Sequence, residues 1–467
     1  MYKTTRYLVS AALISAPVVA SAGGFSLNEQ SASAMGVANA GAAANPENAT
    51  TVFFNPAGMS QLEGNNLSFG AAILNIDAEL DRPTGSATGA AGAPVDGSSG
   101  GDFAPLAVLP NLYMTYEVND SVDVGFGIHA PYGLSADYDN DFVGRYFADK
   151  TELTAIAFSP SIALNDGNGF SMGFGANLIY AEGRLSKFQD YSQNYQQAQA
   201  SGYGGPAFEE GYFDVEGDDI AMTFTFGLLW EVSDRTQFGL TAQTGTELEL
   251  EGEATLTNVP VPQIGAGGLN MAFTNLEEDA RVPLEIPESI SVGARHQLTD
   301  SVTLLAGATW AKWSRFVALD IESREQNGAI STGVGAQDKY GRPGMIGHVS
   351  ENWNDTWQAN VGVIWQASPA WAFKAGYAYD QTPVDESYRT ARIPSDDRQW
   401  LTLGTQYADA RSGWTVDVAA GVLLFDDVDV DEREYNVDNE PLANAARFQG
   451  TYELDAWGAS VQLSKQF

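Results

Sequence analysis

Between Asp219 and Glu231, large apolar side chains fall on every second position. Ile220, Met222, Phe224, Phe226, Leu228 and Trp230 share one face, and Ala221, Thr223, Thr225 and Gly227 share the other. A period of two is that of a β-strand with one apolar side, and the opposite side is too small and polar for a second core layer. Trp357 to Gln366 repeats the pattern, with Trp357, Ala359, Val361, Val363 and Trp365 against Gln358, Asn360, Gly362 and Gln366. With a rise of ~3.3 Å per residue and a tilt of ~40°, its two tryptophans stand about 20 Å apart along the normal to the sheet's long edge, the separation of aromatic girdles in transmembrane barrels. The same alternation marks fourteen segments: 65–76, 106–118, 121–131, 151–164, 169–187, 218–231, 234–247, 284–297, 301–316, 356–366, 370–380, 397–407, 412–425 and 454–467.

The connections alternate in length. "EVNDSV", "LNDGNGF", "EVSDRT", "QLTDSV", "QASPAW" and "ADARSG" read as tight turns, rich in the residues that turns require. Between them run long links, at 77–105, 132–150, 188–217, 248–283, 317–355, 381–396 and 426–453. Short turns at one end and long loops at the other, on an even number of strands, predict an all-β fold: a 14-stranded antiparallel transmembrane β-barrel. The last strand fits, since Trp457, Ala459, Val461, Leu463 and the terminal Phe467 alternate with small and polar residues. After the N-terminus there is no run of 18 apolar residues, so closed strands are the one way left for this chain to satisfy its backbone in lipid.

The N-terminus reads as an export signal over 1–22: Lys3 and Arg6, an apolar core from Leu8 to Val19, then Ala20-Ser21-Ala22. Acidic residues outnumber basic ones 60 to 23, for a formal charge of -37, which excludes nucleic acid as a partner because phosphate binding needs a basic surface. There is no cysteine and there are three histidines, so no cofactor or metal centre is expected. His296 lies by a tight turn, His348 in a long link, and His129 has no nearby serine at nucleophile-like spacing, which argues against an enzyme.

Residues 23–64 have no sustained period, yet carry Phe25, Leu27, Met35, Val37, Phe53 and Phe54. A loose tail would be more polar, so these residues predict a plug in the lumen, with the barrel over 65–467. Within it, "TTVFFNPAGMSQL" starts like a strand and breaks at Pro56 and Gly58.

The stretch "GGFSLNEQSASAMGVANAGAAANPENATTVFFNPAGMSQL" resembles the N-terminal hatch of the FadL family of outer-membrane transporters of long-chain fatty acids and aromatic hydrocarbons. The matching residues are Gly24, Phe25, Leu27, Asn28, Glu29, Gly36, Asn55, Pro56 and Ala57. "APYGL" at Ala130 to Leu134 and "WAKWSRF" at Trp310 to Phe316 match further along. The resemblance implies a hatch-plugged barrel in the outer membrane of a Gram-negative bacterium. It implies a hydrophobic ligand caught from outside, held near the hatch at Phe25, Leu27, Phe53 and Phe54, and released sideways into outer-membrane lipid. The exit would be a kink in the third strand over Ala130, Pro131, Tyr132, Gly133 and Leu134. From spacing alone, Pro131 reads rather as the end of that strand where the link begins; the resemblance is what favours the kink. Asn55, Pro56 and Ala57 form the hatch motif, in which the Asn55 amide would tie the turn to the wall or to the kink and Pro56 would stop the segment from adding a strand.

A fatty acid carboxylate calls for a cation. Lys187 faces inward by alternation and lies where family members carry a base; Arg184 falls on the other parity unless a bulge intervenes. Lys374 and Arg315 face inward by the same count. Each of these is open to a second reading, pairing with lumenal carboxylates such as Asp380 or Glu231. One departure stands out: Val349, beside His348, lies where the family has its second carboxylate-binding base, which admits an uncharged hydrocarbon as ligand. A general porin is the less favoured alternative, and a plugged barrel needs no partner subunit, so a monomer is expected. "DDVDVDERE", 426–434, reads as a solvated acidic loop, or by its alternate carboxylates as a calcium site.

Overall fold

The computed structural model describes residues 23–81, 85–265, 268–333, 339–443 and 445–467; the export-signal reading of 1–22 lies outside them. Among the described residues, fourteen antiparallel strands close into a ring. They are β1 (Asn65–Leu80), β2 (Ala107–Asn119), β3 (Val122–His129 and Gly133–Asp137), β4 (Lys150–Asn165), β5 (Phe170–Gln189), β6 (Gly211–Ser233), β7 (Thr236–Gln243 and Thr246–Gly265), β8 (Gly268–Ile286 and Ser289–Thr299), β9 (Val302–Ala311 and Ala318–Ser323), β10 (Met345–Ser350 and Thr356–Gln366), β11 (Trp371–Asp380), β12 (Arg398–Asp409), β13 (Trp414–Phe425 and Val428–Arg433) and β14 (Arg447–Gln466). β14 pairs back onto β1 from Asn66↔Gln466 to Leu80↔Tyr452, so the sheet has no free edge. No described helix is long and apolar enough to cross a membrane.

The two faces are those the alternation demands. Ile220, Met222, Phe224 and Trp230 are exposed on the outside, and Thr223 and Thr225 are buried inside. Trp357 and Trp365 remain 57% and 53% exposed, which suits an amphipathic ring at a lipid boundary.

Two expectations are corrected. The link at 248–283 is a long hairpin of β7 and β8, paired from Thr246↔Ile286 to Gly265↔Gly268. Leu248, Leu250, Val282 and Leu284 are buried on its inner side, while Glu247, Glu249 and Glu251 occupy the outer face. The period of two continues there, but the outer face is charged because it stands above the hydrocarbon. The acidic stretch 426–434 is also built into the wall: Val428–Arg433 pairs with β14. Asp431 takes Arg447 at 2.5 Å, and Glu432 accepts from Ala391 N at 2.7 Å. Asp429 accepts from Thr451 Oγ1 at 2.7 Å, and no group of three His, Cys, Asp or Glu side chains suited to a metal ion occurs among the described residues.

Residues 23–64 lie against the inner faces of the strands. They form two short helices, α1 (Ala32–Met35) and α2 (Thr51–Phe54), and two 3-10 turns, Ala42–Ala44 and Pro56–Gln61. The wall itself caps α1: Ser31 Oγ donates to Gln462 Oε1 at 2.9 Å, and Ala32 N donates to the same oxygen at 3.1 Å. Backbone meets backbone where the wall has no side chain. A Cβ added at Gly239 would overlap Ala43 O, and one at Gly376 would overlap the carbonyl of Val37. Lys374 points into the lumen, as its parity requires, and pairs with Glu47 at 2.5 Å and Asp417 at 3.3 Å.

Candidate functional site

The wall is interrupted at β3. The last rung between β2 and β3 is Leu112↔Ile128, and Ala107 to Asn111 find partners only on β1. Past the interruption, Gly133–Asp137 pairs with β4 alone. Pro131 has no N–H to offer a neighbour at this point. The N-terminal residues fill the vacancy from inside: Gly133 N donates to Phe25 O at 2.9 Å, and Leu27 N donates to Pro131 O at 3.0 Å. Ser26 and Tyr132 thus face each other as one rung of a short ladder. Gln30 Nε2 adds a bond to Ala130 O at 2.6 Å.

Phe25 is 1% exposed. Its ring sits among Trp313 at 4.6 Å, Phe316 at 5.9 Å, Trp353 at 5.9 Å and Tyr132 at 6.0 Å, centroid to centroid. Three of these were not legible in the alternation. Trp313 and Phe316 turn inward because a 3-10 turn, Trp313–Arg315, replaces the strand between the halves of β9; Trp353 occupies the corresponding interruption of β10.

Three cavities follow one another. The outermost, of about 510 Å³, lies among the long loops and is lined by Leu185, Lys187, Phe213, Lys339, His348 and Arg392 among others. Leu185 also lines a small apolar cavity of about 40 Å³ with Phe25, Leu134, Leu250, Phe316 and Ile393. The innermost, of about 200 Å³, lies between residues 23–64 and the wall, and includes Leu27, Phe53, Phe54, His129, Pro131 and Tyr132. Phe53 meets Phe54 edge-on at 4.9 Å and His129 at 4.8 Å.

The predicted bases divide. Lys187 lines the outer cavity and pairs with Glu434 at 3.1 Å. Lys339, which carried no sequence signal, flanks the same carboxylate at 3.3 Å. Burial alone would raise the Glu434 carboxyl, but Lys339 and Lys187 bring it down to about 2. Arg184 lines the small apolar cavity and forks onto Asp214 at 2.6 Å, on the parity opposite to Lys187. The structure does not bring Lys374 or Arg315 to the described cavities. Lys374 ties Glu47 and Ser33 O to the wall, and Arg315 bridges β9 to β8 through Glu285 at 2.7 Å and Glu288 at 2.9 Å. Asp380 and Glu231, the acids considered as their partners, are taken by Arg398 and Gln61. Val349 lines the outer cavity, and the neighbouring His348 is held by Asp320 at 2.6 Å and Ser350 at 2.9 Å.

Asn55 belongs to the wall contact and not to the β3 interruption. Its Nδ2 donates to Ala43 O at 2.6 Å and Leu228 O at 2.9 Å, and its Oδ1 accepts from Ala57 N at 3.1 Å. The turn it caps is the 3-10 helix that starts at Pro56. Asn55→Ala removes the donor from the buried Ala43 carbonyl, at ~1–3 kcal/mol, and the link to Leu228 O in the wall. Residues 51–61 are expected to become protease-sensitive in the folded barrel. Digestion indistinguishable from wild type would show that the bonds do not hold the turn.

Comparison with known proteins bears on the whole chain. The sequence profile of the family described as "Outer membrane protein transport protein (OMPP1/FadL/TodX)" matches residues 12–467. An outer membrane protein of Neisseria meningitidis serogroup B, NMB0088, is 30% identical over 424 residues, 87% of this chain and 86% of that one. The long-chain fatty acid transport protein of Escherichia coli O6:H1 is 24% identical over 439 residues, 91% of each chain. A Pseudomonas aeruginosa FadL homologue of known crystal structure superposes with a TM-score of 0.78 at 23% identity, covering 95% of this chain and 99% of that one.

Proposed function

Because this chain belongs to the OMPP1/FadL/TodX family of outer-membrane transport proteins, we propose that it takes up single-tailed hydrophobic ligands, long-chain fatty acids foremost, and releases them sideways at the interruption of β3. The observation that carries this reading is the succession of three cavities: the outer two share Leu185, Phe25 lines the second, and its neighbours Ser26 and Leu27 line the third together with Pro131 and Tyr132. An acyl chain gains ~0.8 kcal/mol per CH₂ removed from water; an aqueous pore offers it nothing, whereas lateral exit delivers it into lipid. Lys187 and Lys339 would meet the carboxylate first, and Glu434, lying between them, stands where that carboxylate would bind. Phe25 and its aromatic neighbours would separate the outer cavity from the inner one, which Leu27, Phe53 and Phe54 line. Residues 23–64, held by Asn55, Pro56 and Ala57 on one side and by Lys374 on the other, would keep water and ions from following, unlike a porin. One barrel suffices for this, so a monomer is the working unit.

Val349 supports a second reading, an uncharged hydrocarbon, because it leaves one family base unreplaced while His348 is already engaged. Competition binding to the refolded protein separates the two. Oleate is expected to displace a bound fluorescent fatty acid at lower concentration than hexadecane or toluene. Displacement by toluene with none by oleate would establish the second reading instead.

A further inference from the structure

Arg392 stands in the link between β11 and β12 and is 4% exposed. Its Nη1 donates to Lys150 O at 3.1 Å and Thr151 Oγ1 at 3.1 Å, and its Nη2 donates to Ser186 O at 2.8 Å. All three acceptors are neutral. Its Nε is buried without a partner, and no ion pair joins Arg392 to a carboxylate among the described residues. A buried guanidinium without a counter-ion is an unusual and destabilising arrangement.

Three acids lie near enough to act on it, Glu432, Glu351 and Asp149, but none forms an ion pair with it, and each is engaged elsewhere: Asp149 Oδ2 accepts from Ser186 Oγ at 2.8 Å and from Tyr212 OH at 2.5 Å. Trp353 Nε1 donates to Glu351 Oε2 at 2.9 Å, and Ala391 N donates to Glu432 Oε2 at 2.7 Å. Burial pushes the Glu351 carboxyl up to about 8 and that of Glu432 up to about 7, so near neutral pH Glu351 is mostly protonated and Glu432 only partly charged. Lys187 and Lys339 differ in this respect, since each already has an ion pair, shared on the Glu434 carboxylate.

Its position is equally specific. Arg392 lines the outer cavity of about 510 Å³. The next residue, Ile393, and its own acceptor Thr151 line the small apolar cavity that holds Phe25. Leu185 borders both. The unpaired cation therefore lies at the division between a wide outer vestibule and a narrow apolar slot.

We infer that Arg392 is a binding site for the carboxylate of a long-chain monocarboxylic acid passing from the outer cavity to the cavity beside Phe25. This rests on the hydrophobic-uptake reading above. A carboxylate supplies the missing acceptor for Nε–H and the ion pair that Arg392 lacks, and the side chains of the small cavity beyond it present an apolar surface to the tail that follows. A neutral hydrocarbon or alcohol does neither of the first two.

The test is equilibrium binding of labelled oleate and oleyl alcohol to refolded wild type, R392Q and R392K, with folding checked by heat-modifiable gel mobility. R392Q is expected to weaken oleate at least tenfold and to leave oleyl alcohol within twofold. R392K keeps the charge without the planar fork; it is expected to weaken oleate about threefold with the alcohol unchanged, and it gives the answer should R392Q fail to refold. Equal losses for both ligands, or no loss for oleate, would overturn the inference. Wild type that binds oleyl alcohol and not oleate would overturn it while leaving hydrophobic uptake standing. Wild type that binds neither would remove that reading as well.

Discussion

Gly376→Val turns a closed barrel into a conducting one. At this position the backbone of residues 23–64 rests on the wall so closely that a single added carbon would overlap the carbonyl of Val37 and come into contact with Ala38 N. Neither is a flexible side-chain end that could swing aside. Overpacking of this kind costs on the order of 1–3 kcal/mol or more when the backbone must move, and the strand, paired on both sides to β10 and β12, is the more rigid partner. The lumenal segment therefore yields. In planar bilayers wild type is expected to be nearly silent and G376V to show steady ion conductance. Gly204→Val, at a loop position with open space around it and no positive φ, is expected to stay silent. A silent, folded G376V would mean that residues 23–64 are not what closes the lumen.

Lys374→Met has a comparable effect by a different route. The ammonium is 1% exposed and holds Glu47 from the lumenal segment and Asp417 from β13. Removing one member of a buried ionic group leaves uncompensated charge, and such losses run to ~3–5 kcal/mol. Because Glu47 belongs to the segment and Asp417 to the wall, the loss appears as local opening of the segment and not as unfolding of the barrel. Amides of residues 32–47 are expected to exchange with solvent at least a hundredfold faster in K374M. The triple variant K374M/E47Q/D417N removes all three charges and is expected to recover most of the protection. Exchange unchanged in K374M would show that the buried pair does not anchor the segment.

The barrel was legible because its physics is periodic: lipid on one side and a polar lumen on the other impose a period of two on every membrane-crossing stretch. The same rule explains where legibility ended. In 248–283 the outer face meets water, so Glu249, Glu251 and Glu253 replace the apolar residues and the strand reads as an acidic link. The parity argument placed Lys374 inward correctly, but parity gives a direction and not a partner. That Glu47 and Asp417 await it depends on how an aperiodic segment folds inside the ring. Arg315 fails for a related reason, since the 3-10 turn at Trp313–Arg315 resets the count within β9. The aromatic seat of Phe25 and the cations Lys339 and Arg392 come from interruptions and loops. There no repeat connects sequence to direction, and only the folded chain shows which residues converge.

Release at the interruption of β3 requires the N-terminal residues to leave it, and this admits a reversible test. Ser26 and Tyr132 are opposed on a two-bond ladder, with Leu27 N bonded to Pro131 O and Gly133 N to Phe25 O. Pairs flanked in this way bring Cα atoms to ~4.5 Å, within the range a disulfide spans. The chain has no cysteine of its own, so S26C/Y132C carries a single possible bridge. Uptake of labelled oleate by cells producing this variant is expected to stop under oxidation and to return on reduction with dithiothreitol. Undiminished uptake with the bridge fully formed would contradict lateral release at β3.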